Sequence, residues 1–268
     1  MSTVQDVIDA IIADIPGAPF AETVDTIKVG SPEAEVSGIV TTFVATDRIL
    51  HFAAEQGANL VISHEPTFFN HEDETGWLDR SPVFRAKHDF AREAGITVWR
   101  CHDYAHSMKP DIIVEGVIDA LSWEKHRVDS LDPGGLPVIF ELNHRPRPTA
   151  LANEIKSGLA TSRVLLAGDP DTQCRRVALL VGAIGGRRQI ETAIANDVDA
   201  MVVGETNEWE TPEYFRDAGY QKLKKALLVV GHQPSEEAGM ARLAAWIGQR
   251  FPDLSVLHRA ALDPLRVI

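Results

Sequence analysis

The chain has 268 residues, 44% hydrophobic and 24% charged, with 19 glycines and 15 prolines, a balance that excludes a disordered or fibrous protein and suits one large domain or two small ones. Lys and Arg number 26 against 39 Asp and Glu, a formal net charge of −13, and so acidic a surface repels phosphate backbones and argues against a nucleic-acid partner. Two cysteines, Cys101 and Cys174, exclude a disulfide framework and a Cys-rich zinc site, as expected in a reducing compartment.

Met1 to Pro16 alternates apolar residues with Asp6, Asp9 and Asp14 and lacks the basic start and continuous apolar stretch of a secretory signal. It reads as the first amphipathic helix of a cytoplasmic protein. Ile39 to Phe43 is a predicted strand, Thr46 a helix cap, Ile49 to Ala53 an amphipathic run stopped by Gly57, and Leu60 to Ile62 the next strand. That strand, helix, strand order predicts a right-handed parallel crossover. Phe84 to Ala94 repeats the helical pattern, Ile96 to Trp99 is a third strand, and Asp111 to Leu121 is helical. The later half starts again with a strand at Val138 to Leu142, a helix at Thr149 to Leu159, and strands at Val164 to Leu166 and Val177 to Val181. A helix at Gln189 to Ala195, strands at Met201 to Val203 and Leu227 to Val230, and a long helix from Ser235 to Phe251 complete the series. Such alternation predicts α/β architecture. The most apolar stretch, Val177 to Gly185, has about half of the roughly 20 residues that span a bilayer, so no membrane association is expected.

An echo runs through this order. Ile39-Val40, Ala53, Leu60 to Ile62 and Glu65 align without gaps on Leu179-Leu180, Ala193, Ala200 to Val202 and Glu205. Two generic strand, helix, strand units would give this, and so would two similar halves packed around a shared site. Asp129 to Pro137 is the natural seam. The expected lobes are residues 1–128 with 226–268, and 129–225; a simple division into 1–130 and 131–268 is the alternative.

Three segments that join histidine to carboxylate each follow a predicted strand: Ser63-His64-Glu65-Pro66, Cys101-His102-Asp103-Tyr104-Ala105-His106, and Gly231-His232-Gln233-Pro234-Ser235-Glu236. In open α/β sheets ligands bind at the carboxyl ends of strands. Imidazole with carboxylate suits Zn, Mn, Fe or Ni ions, and five or more converging donors suggest two ions. With Ser235 opening the last helix, Glu236 falls in its first turn and His232 in the loop before it. His102 and Asp103 read as groups that orient a ligand or carry a proton, and Glu205, after Val203-Gly204, as an acid, a base or a cap. Cys101 reads as a small buried strand residue.

Other signals favour structural roles. His51 and His88 lie in helical patterns, His71, His126 and His144 in polar loops, and His258 in a terminal strand. Gly182-Ala183-Ile184-Gly185-Gly186 lacks the full phosphate-loop pattern and reads as a turn with modest anion affinity beside Arg187 and Arg188. Lys222, Lys224 and Lys225 form a solvated face. No Gly-x-Ser-x-Gly elbow supports a serine hydrolase.

In this order, Gly57-Ala58-Asn59-Leu60-Val61-Ile62-Ser63-His64, His102 to His106, Gly204-Glu205, Gly231-His232 and Ser235-Glu236 resemble the Ngg-interacting-factor-three-like family, whose members are often labelled type 2 GTP cyclohydrolase I-like dinuclear-metal proteins. Members usually show His-His after the second strand and an aspartate four residues beyond the later histidine. Here Glu65 stands for the second histidine and His106 for the aspartate. The resemblance implies the ligand set His64, Glu65, His106, His232 and Glu236 for two divalent ions, and a two-lobed α/β fold of mixed sheets flanked by helices, with the metal site at strand carboxyl ends between the lobes. It further implies a ring-shaped homo-hexamer. The expected function is metal-dependent hydrolysis of a small phosphorylated or heterocyclic, nucleotide-like compound, with Glu205, His102 or Asp103 moving protons. A non-catalytic metal-binding scaffold or metallochaperone is the competing expectation.

Overall fold

The computed structural model describes residues 2–128, 135–265 and 267–268. In chain order the elements are α1 (Val4–Ile12), β1 (Ile27–Val29), β2 (Ile39–Val44), α2 (Asp47–Glu55), β3 (Leu60–Glu65), α3 (Pro82–Glu93), β4 (Thr97–Arg100), α4 (Asp103–Ser107) and α5 (Ile112–Leu121). They continue with β5 (Val138–Glu141), α6 (Pro148–Gly158), β6 (Leu165–Gly168), β7 (Arg176–Leu180), α7 (Gly186–Ala195), β8 (Ala200–Val203), α8 (Thr211–Tyr220), β9 (Ala226–Val229), α9 (His232–Arg250) and β10 (Val256–His258). The fold is mixed α/β, with two five-stranded sheets flanked by helices. Among the described residues no helix is long and apolar enough to cross a membrane.

The chain divides into two compact units, Met1–Ile113 with Gly239–Ala261, and Val114–Ala238 with Leu262–Ile268. Residues 114–128, 226–238 and 262–268 thus group with the second unit, whereas the sequence reading puts them in the first lobe. The cause is local: β9 hydrogen-bonds between β8 and β6 in the second sheet, and Val114, Val117, Ile118 and Leu121 of α5 pack in the core around Phe140 and Val177. Most of the seam, residues 129–134, lies outside the described residues.

In the first unit the sheet order is β1-β4-β3-β2-β10. β10, β2, β3 and β4 are parallel, with Ile39 opposite Leu60 and Leu60 opposite Thr97; β1 closes the edge antiparallel to β4. Successive residues of a strand face opposite sides of its sheet. Leu60, Ile62 and Trp99 accordingly join the core beneath α1 and the later part of α9, where Val7, Ile11, Leu243 and Ile247 are buried. Val61 and Val98 join the core beneath α2, with Ile49, Leu50 and Ala53. Helices α1, α2 and α3 start where the sequence offers a cap: Thr3 and Asp6 form a reciprocal capping box, Thr46 accepts from Ile49 N, and Ser81 accepts from Phe84 N ahead of Pro82. Gly57 and Gly95, with φ of 69° and 66°, take the left-handed turn that follows α2 and α3.

The second unit repeats the plan with sheet order β5-β7-β8-β9-β6. β7, β8 and β9 are parallel and β6 runs antiparallel to β9, as β1 does to β4. The gapless echo is therefore a repeat of topology, β2-α2-β3 matching β7-α7-β8. The outer neighbours differ, since β10 is parallel to β2 and β5 antiparallel to β7. In both units the histidine-bearing segments leave the carboxyl ends of parallel strands.

Candidate metal centre

β3 ends in His64 and Glu65 because its apolar run stops there, and parallel β4 sets the next segment beside it, with Ser63 opposite Arg100. After Cys101 the chain turns into the short helix α4, which the sequence reading lacks. His102 is its N-cap residue, Asp103 opens it and His106 lies in its last turn. One turn of helix brings residues four apart to one side, so His102 and His106 meet His64. The ring centroids are 4.7 Å apart for His64 and His102 and 5.0 Å for His106 to each of them. One ligand atom from each of the three rings lies within 4.8 Å of the others.

Each ring uses its Nδ1 on an oxygen: His64 on the Cys101 carbonyl at 3.2 Å, His102 on Asp103 Oδ1 at 2.9 Å, His106 on Asp111 Oδ2 at 2.8 Å. Carbonyl and carboxylate oxygens accept, so in each ring Nδ1 donates, and the neutral tautomer that fits this bond has its lone pair on Nε2. That tautomer is the one a metal requires. Burial pushes His102 down to about 4, the neighbouring His64 acting in the same direction against the hydrogen bond with Asp103. His102 is therefore neutral across the physiological range. Burial alone would raise the Asp103 carboxyl, but hydrogen bonds from His102, Thr23 and Val24 outweigh it and hold the group below the usual carboxylate range. Asp103 thus orients His102. Glu65, at the strand end, places Oε1 3.6 Å from His102 Nε2. Cys101 contributes its carbonyl; burial raises its thiol well above the usual range and keeps it protonated.

Asp25, buried beneath α4, accepts from the backbone N–H groups of His102 and Tyr104 at 2.8 Å each. It satisfies the helix start that His102 leaves uncapped. Neither Asp25 nor Asp111 is evident from the sequence, since a lone aspartate distant from its partner has no local signature.

In the second unit α9 begins at His232, three residues earlier than the Ser235 start expected from sequence. Pro234 falls in the first turn, where a missing N–H costs nothing. His232 and Glu236 are therefore four apart on one helix, with His232 Nε2 3.0 Å from Glu236 Oε2. His232 Nδ1 lies 3.2 Å from Glu205 Oε2, a side chain 59% exposed. Glu236 is buried. Ser235 Oγ donates to the His232 carbonyl at 2.7 Å and accepts from Gly182 N at 3.0 Å, tying the start of α9 to the turn after β7. That turn needs glycine: Gly182 has φ +69°, and a Cβ there would collide with Glu236 Oε1. At the start of α7, a Cβ on Gly186 would collide with the Glu210 carboxylate, so the chain's own anion packs where the sequence suggests modest anion affinity.

Residues 2–262 match the family profile described as Duf34/NIF3 (NGG1p interacting factor 3). The chain belongs to the DUF34/NIF3 family. Among DUF34/NIF3 relatives, a Clostridium perfringens protein named GTP cyclohydrolase 1 type 2 homolog is 25% identical over 98% of each chain. The Escherichia coli K12 protein of the same name is 28% identical over 82% of this chain and 83% of its own. A Bacillus cereus protein related to NIF3 shares the fold with a TM-score of 0.79 at 14% identity, covering 100% of this chain and 99% of that one. The Staphylococcus aureus hypothetical protein SA1388 does so with 0.75 at 17%, covering 99% of each. In this DUF34/NIF3 chain the donor chemistry fits a divalent cation, since three imidazoles, each with its Nδ1 engaged by an oxygen, stand together in the first unit.

Proposed function

We propose that this protein is a divalent-metal-dependent hydrolase of small phosphorylated or heterocyclic, nucleotide-like compounds. The grouping of His64, His102 and His106 carries the reading, because three imidazoles that each engage an oxygen through Nδ1 also bring one ring nitrogen apiece within 4.8 Å of one another, as a cation requires. The names of the relatives support the substrate class. The proposed ligands are His64, Glu65 and His106, with His102 now beside them, in the first unit, and His232 and Glu236 in the second. Two ions per chain, drawn from Zn, Mn, Fe or Ni, are expected. A bound divalent ion supplies Lewis acidity and brings the pKa of water towards neutrality.

The chain's own groups do the rest. Asp103 holds His102 in its lone-pair tautomer. Glu205, exposed and beside His232 Nδ1, accepts or returns a proton at that nitrogen. The homo-hexamer belongs to the same proposal, and light scattering of the purified chain tests it.

Untagged protein is analysed for bound elements, then stripped with chelator and reloaded with each ion before assay on nucleotides and phosphoesters. Two ions per chain and turnover restored by reloading are expected. Stoichiometric metal without turnover on any substrate overturns the hydrolase and leaves a metal-binding scaffold or metallochaperone. No metal after loading, or unchanged metal in His64→Ala and Glu236→Ala, overturns the centre itself.

A further inference from the structure

Strand alternation sets a buried cation against Glu65. In β3 the residues Val61, Ser63 and Glu65 share one face, and parallel β4 presents Val98 and Arg100 on that face, with Arg100 opposite Ser63. Glu65 is thus the diagonal neighbour of Arg100, within reach of a long side chain. Arg100 is wholly buried.

Two carbonyls anchor its guanidinium. Nε donates to the His64 carbonyl at 3.2 Å and Nη1 donates to the His71 carbonyl. A planar fork held at two points has little freedom left. Nη2, which makes no hydrogen bond among the described residues, points to Glu65 Oε2 at 3.5 Å. The carboxylate is thereby divided: Oε2 faces Arg100 while Oε1 faces His102 Nε2 at 3.6 Å. Behind Arg100, the buried Asp73 carboxylate lies 3.8 Å from Nη1 and 3.3 Å from Lys28 Nζ. Asp73 is thus shared between Arg100 and Lys28, and a neutral side chain at position 65 would leave Nη2 facing no carboxylate.

We propose that Arg100 is a positioning residue that makes carboxylate, rather than imidazole, the working donor at position 65, presenting Oε1 alone to the cation. The family pattern expected from sequence has histidine at this position, and an imidazole there would face the guanidinium with no charge to offer it. Removing such an orienting group typically weakens metal binding by about 10–100-fold. This inference rests on the reading of His64, His102 and His106 as a metal centre.

The test is competition of Mn²⁺ and Zn²⁺ between a chromogenic chelator and the full chain, comparing wild type, Arg100→Lys, Glu65→Gln, the double variant and Glu65→His. Arg100→Lys is expected to weaken binding about 10–100-fold with Glu65 present, and less than about threefold with Gln at position 65, because the lost contact is already absent. Glu65→His is expected to bind at least about tenfold more weakly than wild type. Equal losses from Arg100→Lys in both backgrounds, or Glu65→His binding as tightly as wild type, overturn the proposal. Should Arg100→Lys not fold, Glu65→His decides alone, since Arg100 is intact in it. A wild-type chain that takes up no metal overturns the centre and this inference together, whereas metal uptake without coupling overturns this inference only.

Discussion

Asp111 serves His106 and α5 with different oxygens: Oδ2 lies 2.8 Å from His106 Nδ1, and Oδ1 accepts from Ile113 N at 2.9 Å. One side chain caps a helix and sets an imidazole tautomer.

The two roles separate by substitution. Asp111→Asn keeps an oxygen for the cap but weakens the partner of His106, so metal affinity should fall about tenfold with stability nearly unchanged. Asp111→Ala should lose the cap as well, about 1 kcal/mol. Chelator competition and urea unfolding measure the two effects, and equal affinity in Asp111→Asn and wild type would refute the orienting role.

Ser235→Ala removes the acceptor of Gly182 N–H at a buried position. An unmet buried donor costs about 1–3 kcal/mol, and that loss is expected in urea unfolding. Gly182→Ala should cost at least as much, since it adds a left-handed strain of about 1–2 kcal/mol to a clash with Glu236, and it should lower metal content as well. Unchanged metal content in Gly182→Ala would separate Glu236 from metal binding.

Asp73 Oδ1 accepts from Phe68 N at 2.6 Å, and Oδ2 faces Lys28 and Arg100. Breaking a buried ion pair from one side costs about 3–5 kcal/mol. Asp73→Ala should show that loss in chemical unfolding, far above a surface substitution. A loss under about 1 kcal/mol would mean that water reaches these charges.

Burial pushes Lys87 down to about 8, against the pull of Asp73 and Asp47, while its Nζ donates to the Thr67 carbonyl at 2.6 Å. Between about 8 and the ordinary lysine value of 10.5 the unfolded chain holds a proton that the folded lysine has released. Unfolding takes up that proton, so this contribution to stability rises with pH across the window and is lost as pH falls through 8. Relative to Lys87→Met, wild type should gain on the order of 3 kcal/mol from pH 8 to 10.5. Urea unfolding of both proteins at each pH measures it, and a flat difference would show that the ammonium is hydrated.

Much of the fold is legible because it depends on neighbours in sequence. The apolar runs at 60–62 and 201–203, the cap at Thr46 and the glycine stop at Gly57 act over a few residues. The short β1 and α4 are not legible. Ile27–Val29 becomes a strand only because β4 offers it an edge, and Asp103–Ser107 becomes a helix with Asp25 satisfying the N–H groups at its start. The start of α9 at His232 is missed because Pro234 suggests a loop, although proline is tolerated in the first turn.

For the candidate site, residue type and strand-end position sufficed to single out His64, Glu65, His102, Asp103, His106, Glu205, His232 and Glu236, because imidazole and carboxylate advertise their chemistry in one dimension. The tertiary structure decided which nitrogen each histidine presents, that His102 stands with His64 and His106, and that Arg100, Asp111 and Ser235 hold the donors in place. Those outcomes depend on strand register and on hydrogen bonds between residues distant in the chain. A one-residue slip of β4 against β3 would turn Arg100 away from Glu65 with no change in the sequence.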